Sequence, residues 1–508
     1  MPTLLDRNAA LITSPRGFLV FVAVVLSTLV VIRTFVFPGV GGDDGEQLVF
    51  SQFFDWGYQL RNPPLVTWML IGLQELTGPN VFSIVALRGL ILFAIYALSL
   101  GVARELLSDT RLAALAAGSL LMIFYVGWNT IHGFTHTSLV TAFYVAALYL
   151  ALRLERVPSA IGRVLFGAVL GLGLLAKYSF VIFALALLVA VFLDRKMRRG
   201  ILSPWVLVGF ALSLAPVVAQ LSWLVEHAPP HHLVQGETPL TLWENALRIG
   251  KTVFRVCLGV VGFLMPMGAI WIAVFWKAVR RRPLATDETT RHLRFFERLF
   301  AAIVVLALIA IVVIQSDRPR SHYFFVLVPL VPYFFLRYGA AMDAPQIKRF
   351  AALISLSGVV LIATLIGKYV IEPRICGHCE DHIPYDAFAR QLREQGFKQG
   401  TIFAFFHKDP LAGNLRVRFP DSRVVSAKHP DVIAPRRHAP GQCLIIWPVK
   451  GVVEPKSATI RGANQSPLAT TLPFDYPSHV LTASLPPWGE RPHQLEYLLI
   501  EGGRGRCR

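Results

Sequence analysis

Charged residues are scarce in this chain of 508 amino acids, where Asp, Glu, Lys and Arg together make up only 16%. Apolar residues reach 54% and the mean hydropathy is +0.55, which is more hydrophobic surface than one soluble core can bury. This composition excludes a single soluble globular domain. Short-period repeats and low-complexity tracts are also absent from the sequence. We therefore expect a polytopic α-helical membrane protein.

The apolar residues are grouped in runs close to the length of about 20 residues that crosses a bilayer core of about 30 Å. No small-x-small cleavage site follows the first run, so we expect that run to remain in the protein as a helix. The runs predict about eleven transmembrane helices. They lie near residues 17–37, 84–103, 112–127, 137–152, 161–176, 179–193, 201–224, 253–276, 299–315, 322–336 and 350–371.

Acidic residues are outnumbered by basic ones, and the formal net charge is +18. A nucleic acid partner would explain such an excess, but the basic residues lie mainly at helix ends, as in segments 194–199 and 280–282. Anchoring beside anionic membrane lipids is the better explanation, so we expect no nucleic acid partner. The positive-inside rule then predicts a cytoplasmic N-terminus. By the same rule the outward segments are 38–83, Lys177, 225–251, 317–322 and everything after residue 371.

Long apolar runs end near Glu372, and the later apolar stretches have strand length. We predict a membrane domain at 1–371, with its first outward loop at 38–83, and a soluble periplasmic α/β domain at 372–508. The predicted elements of the second domain are helices at 385–394 and 410–415 and strands at 401–406, 423–426, 443–447 and 495–500.

Cysteines are few, with Cys257 in a predicted helix and four others in the outer domain. Four outward cysteines permit two structural disulfides or unpaired thiols, which is the preferred interpretation. The spacing of Cys376 and Cys379 also fits a redox dithiol, and with His382 it could bind zinc. No strand precedes this pair, as one would in a thioredoxin-type site. The other two outward cysteines are Cys443 and Cys507.

The first outward loop brings three acids close to aromatic, basic and proline residues. An ionised acid beside a membrane helix is tolerated only in water or next to a partner. A solvated loop or a helix cap would satisfy that condition, but the neighbouring residues favour an active site at the bilayer surface. Arg88 nearby is expected to be an interfacial charge or the partner of an acid. The loop residues concerned are Asp43, Asp44, Glu46, Trp56, Tyr58, Arg61, Asn62, Pro63 and Pro64.

Lys177 interrupts a long apolar stretch. One helix over residues 161–193 would be roughly 50 Å long at 1.5 Å per residue, so the chain must turn at 176–179. The turn places Lys177 and Tyr178 at the outer boundary, where the ammonium either snorkels or meets a lipid phosphate. Arg318, Arg320 and His322 form a second outward basic group. Two arginines suit bidentate phosphate contact, although pairing with Asp317 or with the outward domain is an alternative.

His132 and His136 are four residues apart in another outward segment. On one helix face they could bind a metal ion, but no third ligand is adjacent. We favour a role as polar lining of a substrate cavity.

The acidic loop resembles the first outward loop of a known enzyme family. Segments 43–46, 51–52, 56–58 and 62–65, with Trp68, resemble bacterial glycosyltransferases related to protein O-mannosyltransferases and aminoarabinose transferases, which belong to the GT-C class. Segment 171–178 resembles the Gly-rich helix end of that family with its Lys. Segment 407–425, and especially 411–416, resembles the outer domain of a branch that includes rhizobial lipopolysaccharide galacturonosyltransferases.

The resemblance implies a GT-C fold and a hexosyl, pentosyl or uronosyl transferase. The donor would be a polyprenyl-phosphate sugar, the acceptor a lipid or cell-envelope glycan such as lipopolysaccharide, and the site the periplasmic face of the bacterial inner membrane. Asp43 would be the general base of an inverting transfer. Lys177, with Arg61, Arg318 or Arg320, would stabilise the departing lipid phosphate. No obligatory metal is implied, although a divalent metal is possible. The remaining substrate-binding candidates are Asp44, Glu46, Trp56, Tyr58, Asn62, His132, His136, Tyr178 and His322.

Two other functions compete with this one. A flippase or transporter of lipid-linked sugars would show polar residues at the bilayer midplane and often a repeat between its halves, and neither is evident in the sequence. A membrane-tethered redox or receptor protein acting through the C-terminal domain would leave the large membrane region unexplained.

Overall fold

A computed structural model describes residues 3–227, 242–281, 286–314, 320–375, 380–406, 410–435, 441–449, 478–484 and 492–500. In chain order the α-helices are α1 (Leu4–Thr13), α2 (Pro15–Phe35), α3 (Gly42–Phe50), α4 (Leu65–Thr77), α5 (Val81–Leu106), α6 (Thr110–Gly118), α7 (Thr130–His132), α8 (Thr135–Arg156), α9 (Ala160–Ala176), α10 (Phe180–Leu193), α11 (Arg195–Ile201), α12 (Pro204–His227), α13 (Leu242–Leu264), α14 (Met267–Arg281), α15 (Asp287–Ile314), α16 (Pro332–Tyr338), α17 (Ala344–Ile375), α18 (Tyr385–Glu394) and α19 (Pro410–Arg418). The strands are β1 (Gly400–Ala404), β2 (Arg423–Ser426), β3 (Gln442–Pro448), β4 (His479–Ala483) and β5 (His493–Ile500). Short 3₁₀ or π segments are Ser119–Met122, Tyr125–Asn129, Ser321–Leu330, Gly339–Ala341 and Glu380–His382.

Six helical segments in the described ranges are long and apolar enough to cross a membrane. They are α2, α5, α8, α12, Ser321–Ala341 and α17, and shorter apolar helices occur at Leu65–Thr77, Thr110–Met122, α9 and α10. The apolar run predicted at 253–276 is divided, because α13 ends at Leu264 and α14 begins at Met267. Pro266 lies between them and has no backbone N–H with which to continue the helical hydrogen bonds. The other predicted runs coincide with helical segments.

The turn predicted at 176–179 is confirmed, since α9 ends at Ala176 and α10 begins at Phe180. A side chain at Gly173 would overlap the ring of Phe180, so glycine permits α10 to fold back against α9. The turn leaves Lys177 as the C-terminal cap of α9.

The chain divides into two compact units. Unit 1 comprises Met1–Ser27, Leu60–Leu65 and Gly89–Ile362, and unit 2 comprises Thr28–Gln59, Val66–Arg88 and Ala363–Arg508. Unit 1 is a helical bundle in which α9 packs against α12 and α8, while α10 packs against α15. The first outward loop therefore belongs mostly to the same compact unit as the C-terminal sheet. The chain boundary predicted at residue 372 stays a prediction.

Unit 2 contains a five-stranded sheet with the order β2-β1-β3-β5-β4. Strands β2, β1 and β3 are parallel, whereas β5 runs antiparallel to both β3 and β4. The connection β1-α19-β2 is the helical crossover that parallel neighbours require. The predicted elements of this region are confirmed. Strand β4 is the exception: sequence reasoning missed it because it is a short edge strand with only two buried residues.

Two amide side chains join the first outward loop to the C-terminal part of unit 2. The Gln52 amide donates to the carbonyl oxygen of Val424 and accepts from its backbone N–H, both at 2.8 Å. The Asn414 amide donates to the carbonyl oxygen of Val40 at 2.8 Å and accepts from its N–H at 3.1 Å. Each amide satisfies a backbone donor and acceptor as a neighbouring strand would. They fix the position of α3, which follows Val40 and precedes Gln52.

Helices α3 and α19 pack closely at two glycines. A Cβ atom at Gly413 would overlap the backbone of Gly45. We expect Gly413→Ala to separate the two helices and to lower the free energy of unfolding by about 1–3 kcal/mol, the usual cost of overpacking. Thermal unfolding of the purified protein measures this. Gly72→Ala is the matched control, because nothing lies within 4 Å of the added Cβ in α4. Equal melting temperatures for the two variants would contradict the expectation.

Candidate functional site: an acidic helix and a basic cluster

Asp43 lies in the first turn of α3, where the helix begins at Gly42 in a left-handed conformation with φ +42°. Glycine adopts this conformation at little cost. The Asp43 side chain is exposed and makes no hydrogen bond or ion pair with any residue in the described ranges. The structure thus leaves the Asp43 carboxylate facing solvent at the start of α3.

Asp44, the next residue, is fully buried because successive helical positions point about 100° apart. Both of its carboxylate oxygens accept hydrogen bonds from Arg88 of α5, one of them at 2.9 Å. Burial raises the pKa of the Asp44 carboxyl, while the charges of Arg88 and Arg33 act in the opposite direction. The expectation that Arg88 pairs with an acid is confirmed. Asp44 therefore links α3 to α5 through Arg88, and it does not lie at the surface, where a substrate contact was expected.

Glu46 is buried three residues after Asp43, on the same side of α3. Its oxygens accept hydrogen bonds from Gln59 at 2.8 Å, from Lys428 at 2.9 Å and from His429 at 3.1 Å. Burial raises the pKa of Glu46, but the His429 hydrogen bond and the charges of His429 and Lys428 outweigh it and lower the pKa to about 2. Glu46 is therefore a fixed anion. Sequence reasoning missed both basic partners, which follow β2 and carry no distinguishing pattern.

The aromatic residues of the loop divide into a surface group and a buried one. Trp56 is exposed and packs edge-on against Trp68, with ring centroids 5.6 Å apart. Tyr58 is buried, and its hydroxyl donates to the carbonyl oxygen of Phe53 at 2.7 Å and accepts from the N–H of Asp55 at 2.9 Å. Burial raises the pKa of Tyr58. Trp56 therefore lies at the surface of the loop, whereas Tyr58 holds the loop together.

Unit 1 contains a basic group around His322. Lys177, Arg320 and Arg61 lie close enough to the His322 ring for their charges to interact with it. The ammonium of Lys177 donates to the hydroxyl oxygen of Thr137 at 2.8 Å. Arg318 was predicted to join this group and lies outside the described residues.

Two further predicted residues of unit 1 are half-buried. Asn62 lies beside the buried Pro63 and Pro64. Tyr178 accepts a hydrogen bond from the side-chain amide of Gln220 at 2.7 Å.

His132 and His136 do not share a helix face, the arrangement that a metal site would have required, and their favoured role as polar lining of a substrate cavity stays a prediction. His132 ends α7 and His136 lies in α8, because the helix breaks at Gly133 and Phe134. His136 is buried, and His132 packs edge-on against Trp128 at a centroid distance of 4.6 Å. Phe134 has φ +58°, a strained conformation for a bulky residue that recurs at functional sites, and its ring lies 6.3 Å from that of His322.

Two of the five cysteines lie in the described ranges. Cys443 is disulfide-bonded and Cys257 is a free, exposed thiol. Cys376, Cys379 and Cys507 lie outside the described residues. His382, considered as a zinc ligand, instead has its Nε2 atom 2.9 Å from a carboxylate oxygen of Glu372.

The described helices and strands define a class of protein before any particular relative is considered, namely a multi-pass α-helical membrane protein with a small C-terminal sheet. The family model described as dolichyl-phosphate-mannose-protein mannosyltransferase matches residues 61–223. The lipopolysaccharide core galacturonosyltransferases RgtA and RgtB of Rhizobium johnstonii are each 27% identical to this chain. The RgtA match covers 80% of this chain and 81% of RgtA, and the RgtB match covers 76% and 78%.

Among solved structures, ArnT from Cupriavidus metallidurans bound to undecaprenyl phosphate superposes with a TM-score of 0.59 at 16% identity. That match covers 94% of this chain and 97% of ArnT. The apo form of the same protein gives a TM-score of 0.54 at 15% identity, covering 84% and 92%. These findings confirm the predicted resemblance, and the chain has the ArnT-like GT-C fold.

Proposed function

We propose that this protein transfers a sugar from a polyprenyl-phosphate donor to a lipopolysaccharide-like glycolipid at the periplasmic face of the bacterial inner membrane. The exposed carboxylate of Asp43 at the amino end of α3 is the observation that carries the proposal. ArnT of the same fold was solved with undecaprenyl phosphate, which supports a lipid-linked donor. The RgtA and RgtB relatives act on the lipopolysaccharide core, which supports the acceptor class and makes a uronosyl group the first sugar to test.

Asp43 acts as the general base in this proposal. It accepts the proton of the acceptor hydroxyl as that oxygen attacks the anomeric carbon, and the bond from that carbon to the phosphate oxygen breaks on the opposite face. The product then has inverted configuration. Asp44 already accepts hydrogen bonds from Arg88, and Glu46 accepts them from three donors. Asp43 is therefore the acid of α3 whose carboxylate is available.

The basic group of unit 1 binds the phosphate of the donor in this proposal. The polyprenyl phosphate that leaves gains negative charge, and fixed cations stabilise it most in the transition state. Lys177 is held by Thr137 and so is already oriented before substrate arrives. The leaving group carries its own charge, so the proposal requires no metal ion.

We expect Lys177→Met to lower kcat/KM for the donor by about 10²–10³-fold, the usual effect of removing one preorganised transition-state donor. Lys177→Arg keeps the charge and is expected to lose less. Thr137→Val removes only the hydroxyl that orients the ammonium and is expected to cost about tenfold or less. Steady-state kinetics with a polyprenyl-phosphate sugar measure all three. Unchanged kinetics in Lys177→Met would remove this residue from the phosphate site.

The test of the proposed function is transfer by the purified full-length protein from a polyprenyl-phosphate sugar to a lipopolysaccharide-type glycolipid. The expected result is a glycosylated acceptor with inverted anomeric configuration and free polyprenyl phosphate. Movement of intact lipid-linked sugar across proteoliposomes without transfer would support the transporter alternative instead.

A further inference from the structure

The cluster of Glu46, Lys428 and His429 has no role in the proposed transfer, although it lies close to the proposed base. Asp43 and Glu46 are three residues apart on α3, and side chains at that spacing are neighbours with Cβ atoms about 5–6 Å apart. Lys428 and His429 come from the loop that follows β2, so the C-terminal part of unit 2 supplies basic groups to Glu46, the helical neighbour of Asp43.

Both carboxylate oxygens of Glu46 are held by hydrogen bonds within this cluster. Gln59 donates to one oxygen of Glu46, while Lys428 and His429 both reach the other oxygen. The His429 ring also packs edge-on against Phe50 with ring centroids 4.9 Å apart. The side chain of Lys428 remains 38% exposed, compared with 10% for Glu46. A fixed anion at the base of the cluster therefore orients a lysine whose outer part faces solvent.

We infer that Lys428, oriented by Glu46 beside His429, binds the carboxylate of a uronosyl group on the donor. This inference rests on the proposed function. The carboxylate of a uronosyl group is attached to the ring carbon on the other side of the ring oxygen from the anomeric carbon, so it lies close to the carbon that is attacked. A Lys ammonium has three N–H donors, and Glu46 accepts one of them in the structure.

A neutral hexose offers only a hydroxymethyl group at the same position. Hydrogen bonds to charged groups are stronger than those between neutral groups. The cluster therefore selects the acidic sugar by the charge of one substituent, while Asp43 acts on the anomeric carbon common to both sugars.

The experiment compares two donors, polyprenyl-phosphate galacturonic acid and the neutral polyprenyl-phosphate galactose, with the purified full-length protein. The wild-type enzyme is expected to prefer the uronosyl donor. Lys428→Met is expected to lower the ratio of kcat/KM for the two donors by about 10- to 100-fold. Lys428→Arg keeps the charge and is expected to retain most of the preference. Lys398→Met is the matched control, because Lys398 is an exposed lysine of the same unit.

The outcomes separate the inference from the proposed function. A wild-type enzyme that transfers both sugars equally well, or a Lys428→Met variant that slows both donors in step, overturns the inference and leaves the glycosyltransferase intact. A wild-type enzyme that transfers neither of these sugars but accepts another lipid-linked sugar also overturns the inference, whereas one that transfers no polyprenyl-phosphate sugar at all overturns the proposed function itself. Glu46→Gln adds a further check, since it removes the anchoring charge and is expected to raise KM for the uronosyl donor more than for the neutral one.

Discussion

Asp43→Asn is expected to lower glycosyl transfer by about 10²–10⁴-fold, the range supplied by a positioned general base. The asparagine side chain has nearly the same shape but does not accept the proton of the acceptor hydroxyl. Because Asp43 is exposed and has no hydrogen-bond partner in the described ranges, the melting temperature is expected to stay that of the wild type. Turnover of a polyprenyl-phosphate sugar and thermal unfolding, measured on the same preparation, test both parts.

Asp55→Asn is the matched control for this variant. Asp55 is a second acid of the loop, and its Oδ1 atom accepts a hydrogen bond from the N–H of Trp56 at 2.7 Å, which asparagine preserves. We expect its activity to remain close to wild type. Full activity in Asp43→Asn, or an equal loss in the two variants, would show that the base lies elsewhere.

The sequence was sufficient for the features that depend on local pattern. Apolar runs predicted where the helices lie, although six segments in the described ranges, and not about eleven, are long and apolar enough to cross a membrane. The length limit for one helix predicted the turn at Lys177. The acids of α3 were recognised together, but their roles could not be separated. All three residues of α3 are acidic, so the sequence does not distinguish Asp43, Asp44 and Glu46. In the structure Asp43 faces solvent, whereas Asp44 and Glu46 each form a different ion pair.

Features that depend on distant contacts could not be predicted from one sequence. Glu46 and Lys428 are separated by 382 positions, and Gln52 and Val424 by 372. The segment around Gly413 and Asn414 was recognised as a family resemblance without a physical reason. The structure supplies that reason, since Gly413 permits contact with Gly45 and Asn414 binds the backbone of Val40. Phe134 also escaped notice, because nothing local marks a phenylalanine for a left-handed conformation.

Arg88→Met is expected to be among the most destabilising single changes in the protein. It leaves the fully buried Asp44 carboxylate without the guanidinium that binds both of its oxygens. Removing one partner of a buried ion pair usually costs about 3–5 kcal/mol, because the other charge stays buried and uncompensated. We expect a lower melting temperature and poor recovery of folded protein. Arg104→Gln is the control on the same helix, where an exposed arginine is replaced and a change below about 0.5 kcal/mol is expected.

The double variant Asp44→Leu with Arg88→Met separates stability from catalysis at this pair. Replacing a buried ion pair by apolar residues of similar size is often neutral or stabilising, so the double variant is expected to regain most of the melting temperature. If it folds but transfers sugar slowly, the pair positions Asp43 through α3. If it folds and is fully active, the pair serves stability alone. A double variant as unstable as Arg88→Met would contradict the electrostatic cause, because the loss would then not come from the unpaired Asp44 charge.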